Sequence, residues 1–187
     1  MVKKNSLSIL VIIFSLLIIS CSNSGKFKIE KGKVGSLTTT TKISELNQIF
    51  KNDSIVKNLS EGALGDNYFQ DDDKYLIFEK GGKHLLTIVP KEQLDSTSTI
   101  KSIEIHDARF KTDAGITLNS NFSEINASNF LRPESTLKSV TLFLDELNAT
   151  IAIDKQELGL SDFSTQKVSL DQIPDLAKIK SFVVWFN

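Results

Sequence analysis

Stretches in which apolar and polar residues alternate recur along this chain, and each predicts a strand. Tyr75-Leu-Ile-Phe-Glu-Lys80 and Lys83-His-Leu-Leu-Thr-Ile-Val89 flank Gly81-Gly82, a two-residue hairpin turn in which glycine accepts positive φ. Ile100 to His106 is a further strand, with Ile103 and Ile105 on one face. Val140 to Leu144 and Ala149 to Ile153 flank Asp145 to Asn148 as a second hairpin. The closing Phe182-Val-Val-Trp-Phe186 is too apolar for a fraying end and reads as a buried strand. Two segments follow helical spacing instead. Ile43, Leu46, Ile49 and Phe50 share a face over 42–51, with Thr41 placed to cap the first turn. A second helix spans about 121–130, capped by Asn121 or Ser120, with Glu124 in its first turn. Lys26 to Leu37 and Ile103 to Lys111 lead into these helices as strands, while 52–73 and 155–178 read as inserts. Helices covering one face of antiparallel sheet define an α+β fold.

The order of elements also repeats. Gly35-Ser-Leu-Thr-Thr-Thr-Thr-Lys-Ile-Ser44-Glu-Leu-Asn47 lines up with Gly115-Ile-Thr-Leu-Asn-Ser-Asn-Phe-Ser123-Glu-Ile-Asn126. Ile100-Lys-Ser102 lines up with Ile179-Lys-Ser181, and both matches lie 79 residues apart (44 to 123, 100 to 179). The expectation is an internal duplication of a strand–helix–hairpin–strand unit, with halves at about 35–106 and 107–187. Leu46 and Ile125 then occupy equivalent buried positions.

The first twenty residues stand apart. Lys3 and Lys4 precede an apolar run from Ser6 to Ile19, and Ser20 precedes Cys21, the one cysteine of the chain. That is the anatomy of a secretory signal. Leu17-Ile18-Ile19-Ser20-Cys21 resembles the lipobox of bacterial lipoproteins, although Ile19 departs from the usual small residue. The resemblance implies that residues 1–20 are removed and Cys21 is acylated. Residues 21–34 then form a tether to a single domain over 35–187. Each buried acyl CH₂ contributes roughly 0.8 kcal/mol, so several chains hold the domain on a membrane durably. An uncleaved anchor helix is the competing reading. Ser22 after the cysteine, with no acidic cluster behind it, favours the periplasmic face of the outer membrane.

Three stretches are similar to the YfeY-type bacterial lipoproteins, a family with a domain of unknown function. They are Gly32-Lys-Val34-Gly35 with the Thr-rich run after it, Ile103 to Phe122 with Asp113-Ala-Gly115-Ile, and Leu176-Ala-Lys-Ile-Lys-Ser-Phe-Val-Val-Trp185. The resemblance implies a lipid anchor and carries no catalytic residue. The tandem helix-on-sheet arrangement is also similar, in fold alone, to the β-lactamase-inhibitor-like modules of outer-membrane assembly lipoproteins.

Chemistry is sparse. The formal net charge of −1 gives no electrostatic reason to expect nucleic acid as a partner. A single cysteine excludes an intrachain disulfide, and acylation removes it as a nucleophile. His84 and His106 lack ligand spacing and read as partly exposed strand residues. Asp71, Asp72 and Asp73 are the densest acidic cluster and weak candidates for a metal. The alternating spacing of a calcium loop is missing, and a solvated loop is the simpler reading. Trp185 points away from Phe182 and Phe186, either into core under a helix, the favoured reading, or outward as an anchor. No cofactor is expected. Two functions remain. One is a membrane-anchored, non-enzymatic binding or envelope-assembly module that meets an envelope protein through a sheet face or an exposed edge. The other is an envelope hydrolase with a carboxylate acid/base site outside the familiar triads.

Overall fold

The computed structural model describes residues 25–59, 72–127, 129–161 and 163–186. Cys21, the segment before it and Asp71 lie outside the described residues. Three short strands open the described chain: Lys28–Glu30 (β1), Lys33–Val34 (β2) and Leu37–Thr38 (β3). A helical turn follows, 3-10 over Ile43–Glu45 and α-helical over Leu46–Ile49 (α1). Next come Ser54–Asn58 (β4), Lys74–Phe78 (β5), His84–Pro90 (β6), Ile100–Ile105 (β7) and Lys111–Thr112 (β8). The chain then forms Phe122–Asn126 (α2), Leu131–Ser135 (β9), Ser139–Leu144 (β10), Ala149–Asp154 (β11) and Ile179–Trp185 (β12).

These strands make two sheets. The larger has eight strands in the order β4-β5-β6-β7-β12-β11-β10-β9, with every neighbouring pair antiparallel. It consists of two four-stranded meanders joined where β7 pairs with β12. The smaller has the order β3-β2-β1-β8, with β1 and β8 parallel.

The fold is mostly β, which overturns the α+β expectation. Both predicted helices exist, but as single turns. The second start is capped as expected, Asn121 Oδ1 accepting the Glu124 N–H and Glu124 the Asn121 N–H. At the first, Thr41 does not cap, because its hydroxyl accepts the Thr38 N–H, and Glu45 accepts the Lys42 N–H instead. The ends come early because sheet pairing claims the residues that follow. β4 begins five residues after Ile49 and makes five register pairs with β5; β9 begins five residues after Asn126 and makes five with β10. The predicted strand over Lys26–Leu37 breaks into three at tight turns, and the stretch expected as a tether contributes β1 and β2. Ile29 and Val34 are each 1% exposed. Gly35 permits this folding. Its φ is +57°, and a Cβ there would stand 2.6 Å from the Lys26 carbonyl oxygen. The β-lactamase-inhibitor-like analogy, which needs helices laid on a sheet, falls with the same finding.

One contiguous core lies on one face of the large sheet. Ile77, Leu86, Ile88, Ile103, Ile151 and Phe182 point into it from the strands. Ile29, Leu37, Leu46, Ile116, Phe122 and Ile125 reach it from the small sheet, the helical turns and the loops. Lys155, fully buried, donates its ammonium protons to the Ser164 and Gln166 carbonyls and so pins the long β11–β12 connection.

Several contacts recur at a spacing of 79 residues. Lys42 bridges Thr99, and Asn121 bridges Lys178. The Ile43 N–H donates to the Ser98 carbonyl, and the Phe122 N–H to that of Ala177. Ser44 donates to Ser96 O, and Ser123 to Asp175 O. Leu46 and Ile125, at 2% and 0% exposure, hold the two turns to the core. Leu46→Ala and Ile125→Ala should each cost about 2–5 kcal/mol in denaturant unfolding, the usual cost of a core truncation.

Candidate functional site: the open face of the large sheet

Alternation puts the large sheet's other face toward solvent. In β12, Phe182 and Val184 are fully buried, whereas Val183 and Trp185 are half-buried. β10, β11 and β5 show the same period of two. Register aligns one row across all eight strands: Val56, Leu76, Thr87, Glu104, Val183, Thr150, Phe143 and Arg132. Seven spacings of about 4.8 Å make that row roughly 34 Å wide. Val56 is 51% exposed. The Arg132 guanidinium lies 4.2 Å from the Phe143 ring centre. Trp185 sits on this face too, its indole N–H donating to Thr150 Oγ1 at 3.1 Å, so the favoured core placement of Trp185 is wrong. Phe182 and Phe186 fill the core instead.

An aromatic stack closes one end of the face. Phe78 stacks on His84 with ring centres 4.7 Å apart, and His84 on His106 at 3.8 Å. Thr87 Oγ1 lies 2.9 Å from His106 Nε2 and 3.2 Å from His84 Nε2. Hydrogen-bonding roles assign one proton. The Leu86 carbonyl, 3.1 Å from His84 Nε2, can only accept, so that nitrogen carries its hydrogen. The Thr87 hydroxyl can accept from that N–H and also bonds His106 Nε2. Burial, and then the neighbouring His84, lower the His106 pKa below 6.5, against a smaller opposing effect of Glu104.

This stack is poorly suited to chemistry. A hydroxyl 2.9 Å from an imidazole is at nucleophile–base distance. Yet Glu104 approaches Nε2 at 3.8 Å, the nitrogen that already faces the hydroxyl, and Thr87 is only 8% exposed. Parallel rings cannot both aim an in-plane lone pair at one ion. Among the described residues no group of three His, Cys, Asp or Glu side chains could hold a metal. The sequence separated the two histidines by 22 positions; the β6–β7 register, pairing Leu86 with Ile105, brings them together.

Beside the stack lies a charged node that the sequence reading did not single out. Asp107 is buried and accepts hydrogen bonds from the Arg109 backbone N–H and Nε, both at 2.9 Å, while Lys83 Nζ stands 3.1 Å away. Arg109 also grips Glu79 through two hydrogen bonds of 3.1 and 2.8 Å, and its guanidinium covers the Phe27 ring at 4.4 Å. The node joins the β5–β6 hairpin, the β7–β8 corner and the entry to β1. Burial opposes ionisation of Asp107, but the bonds from Arg109 and Lys83 outweigh it and hold the pKa down to about 2. The signal in the sequence was the pair of arginines among twenty lysines. Both lie over aromatic rings, the use to which a planar guanidinium is suited.

The acidic cluster disperses. Asp72 pairs with Lys101 at 3.3 Å, and Asp73, fully buried, accepts the Leu94 N–H at 2.6 Å. Asp73 is therefore a turn brace for a residue with φ of +54°, and the expected solvated loop does not describe it. Glu30, Glu79, Asp95, Asp107 and Asp154 are carboxylates whose hydrogen bonds shift their pKa values down.

No family model matches the chain, and no curated protein matches it. Among solved structures, the crystal structure of the uncharacterized protein YfeY from Escherichia coli matches with a TM-score of 0.58 and 15% sequence identity. The match covers 84% of this chain and 99% of that one. In fold, the chain is similar to YfeY. At this identity the likeness concerns the fold alone.

The node and the stack give two acid responses. Asp107 has a lowered folded pKa, so its stabilising contribution is complete above about pH 4 and is lost as pH falls through about 2. Denaturant unfolding should show a loss of about 2 kcal/mol over that window. Asp107→Asn should be less stable at pH 7 and flatter below pH 4. His106, also lowered, should contribute stability that declines as pH drops below 6.5. His106→Gln should remove that component of the melting profile.

Proposed function

We propose that the chain is a lipid-anchored lipoprotein on the periplasmic face of the bacterial outer membrane. In this reading it is a non-enzymatic module that binds an envelope protein through the open face of its large sheet. The observation that carries this is a mixed row across all eight strands, with Leu76, Val183 and Phe143 half-buried in it and Phe78 and Trp185 beside it, on the sheet face opposite the core. Phe78, Phe143, Val183 and Trp185 supply the apolar and aromatic contacts that interfaces favour, with Arg132 and Glu104 as charged neighbours. The lipobox-like run ending at Cys21 supports the anchor and the address. The hydrolase reading has less support, because an acid/base pair needs a carboxylate poised near the working pH and the two carboxylates beside the stack, Asp107 and Glu79, are both lowered. We also propose that the contacts recurring at 79 residues reflect duplication of a unit made of a helical turn and a four-stranded meander.

Two measurements test this reading. Labelled palmitate should enter the wild-type protein and not Cys21→Ala, and equal labelling would remove the anchor. A photocrosslinker placed at Val183 should yield a discrete protein adduct in intact envelopes. Phe143→Lys should remove that adduct while leaving the melting temperature within a few degrees, since the side chain is half-exposed. An adduct unchanged by Phe143→Lys would exclude the open face as the contact.

A further inference from the structure

On the core side of the molecule, below the edge of the small sheet, lies a pocket of about 670 Å³. That is within the size range of small-molecule sites. Its floor is apolar: Val34, Leu85, Leu86 and Phe110, each at most 3% exposed, with Ile49 and Phe50 as a wall. Its rim is basic, carrying Lys26, Lys33 and Lys51 against one carboxylate, Asp53. Lys33 is engaged by Glu30 at 3.4 Å. Lys26 and Lys51 are exposed and make no ion pair among the described residues. Lys26 feels the Glu79 carboxylate, which Arg109 already grips, and Asp53 shares the rim with Lys51, so the three lysines leave the mouth with an excess of positive charge.

We propose that this pocket binds a single-chain anionic amphiphile of the fatty-acid class, its carboxylate at Lys26 and Lys51 and its hydrocarbon along the half-buried Ile49 and Phe50, above the Val34–Leu85–Leu86–Phe110 floor. The tail leaves water against the half-buried Ile49 and Phe50, whose exposed apolar surface is covered with it. The head meets two charges whose attraction, at an exposed rim, weakens with salt. A neutral or cationic amphiphile gains only the first of these, so the rim selects for charge. The source of the ligand rests on the anchor reading. Gly25 lines the pocket four residues after Cys21, and four residues span at most about 14 Å, so an acylated Cys21 would hold the mouth close to a membrane.

The test is photolabelling of the full-length protein in native envelopes with a palmitate analogue carrying a diazirine, the adducts mapped by mass spectrometry. Adducts are expected on the segment 49–53. Excess palmitate should displace them and excess hexadecanol should not. Lys26→Glu/Lys51→Glu, two exposed changes checked by thermal melt, should lower labelling about tenfold, and raised salt should lower it in the wild type. Adducts scattered over the surface, equal competition by hexadecanol, or undiminished labelling of the folded double variant would each overturn the site. The same labelling of detergent-extracted Cys21→Ala separates the two ideas. Pocket adducts there keep the site even if palmitate never enters Cys21, and their absence from an acylated wild-type protein sinks the site alone.

Discussion

The pairing of β7 with β12 makes one molecule of two meanders. Val183 faces Glu104, Val184 faces Ile103 and Trp185 faces Ser102, and the Phe186 N–H extends the ladder to Lys101 O. Without this seam each meander would expose a second unpaired edge and half of an apolar face. With it, Ile103 and Val184 become the centre of a continuous buried row that the small sheet and the two helical turns cover from one side. The turns are short because they are lids over that row. Each needs to deliver one or two apolar side chains, Ile43 and Leu46 in one and Phe122 and Ile125 in the other. A longer helix would take residues from β4 and β9, whose pairing completes the sheet.

What the sequence showed clearly was the inner part of this sheet. β5, β10, β11 and the centre of β12 alternate because one face of each is buried, and the Gly81-Gly82 turn joins β5 to the more continuously buried β6. The outer strands leave almost no such trace. Ser54-Ile-Val-Lys-Asn58 is mostly exposed, and Leu131-Arg-Pro-Glu-Ser135 contains a proline that argues against a strand. Local propensity could not find them; only a neighbour to pair with makes them strands. The helices were overextended for the related reason that apolar spacing at Ile49 and Phe50 continues past the point where pairing takes over.

The candidate face was hidden in the same way. His84, Thr87 and His106 are joined by register, not by proximity in the chain, and nothing in their local sequence distinguishes them from ordinary strand residues. Asp107 looks in sequence like any turn aspartate. Its burial between Arg109 and Lys83 turns it into a permanently charged clamp near neutral pH. A carboxylate held this low cannot pass protons at working pH, so its role is to position the β1 entry and the hairpin end beside the stack.

Edges and face compete as recognition surfaces, and the edges differ. β9 ends one side of the sheet with Pro133 in its middle, flanked by Arg132 and Glu134, which blunts it against pairing with another strand. β4 ends the other side without a proline, and Lys57 is the one charged side chain that guards it. A partner that added a strand would therefore choose β4. Such a partner would meet exposed backbone and Val56, but would leave Phe143, Val183 and Trp185 untouched. Those three lie on the β7–β12 side or beyond it, several strands from β4. Strand addition accounts for none of them, whereas a partner laid across the face would cover Trp185 and Val183 at the seam itself. Recognition and the central pairing would then depend on the same strand, β12, with Phe182 and Val184 facing the core and Val183 and Trp185 facing the partner.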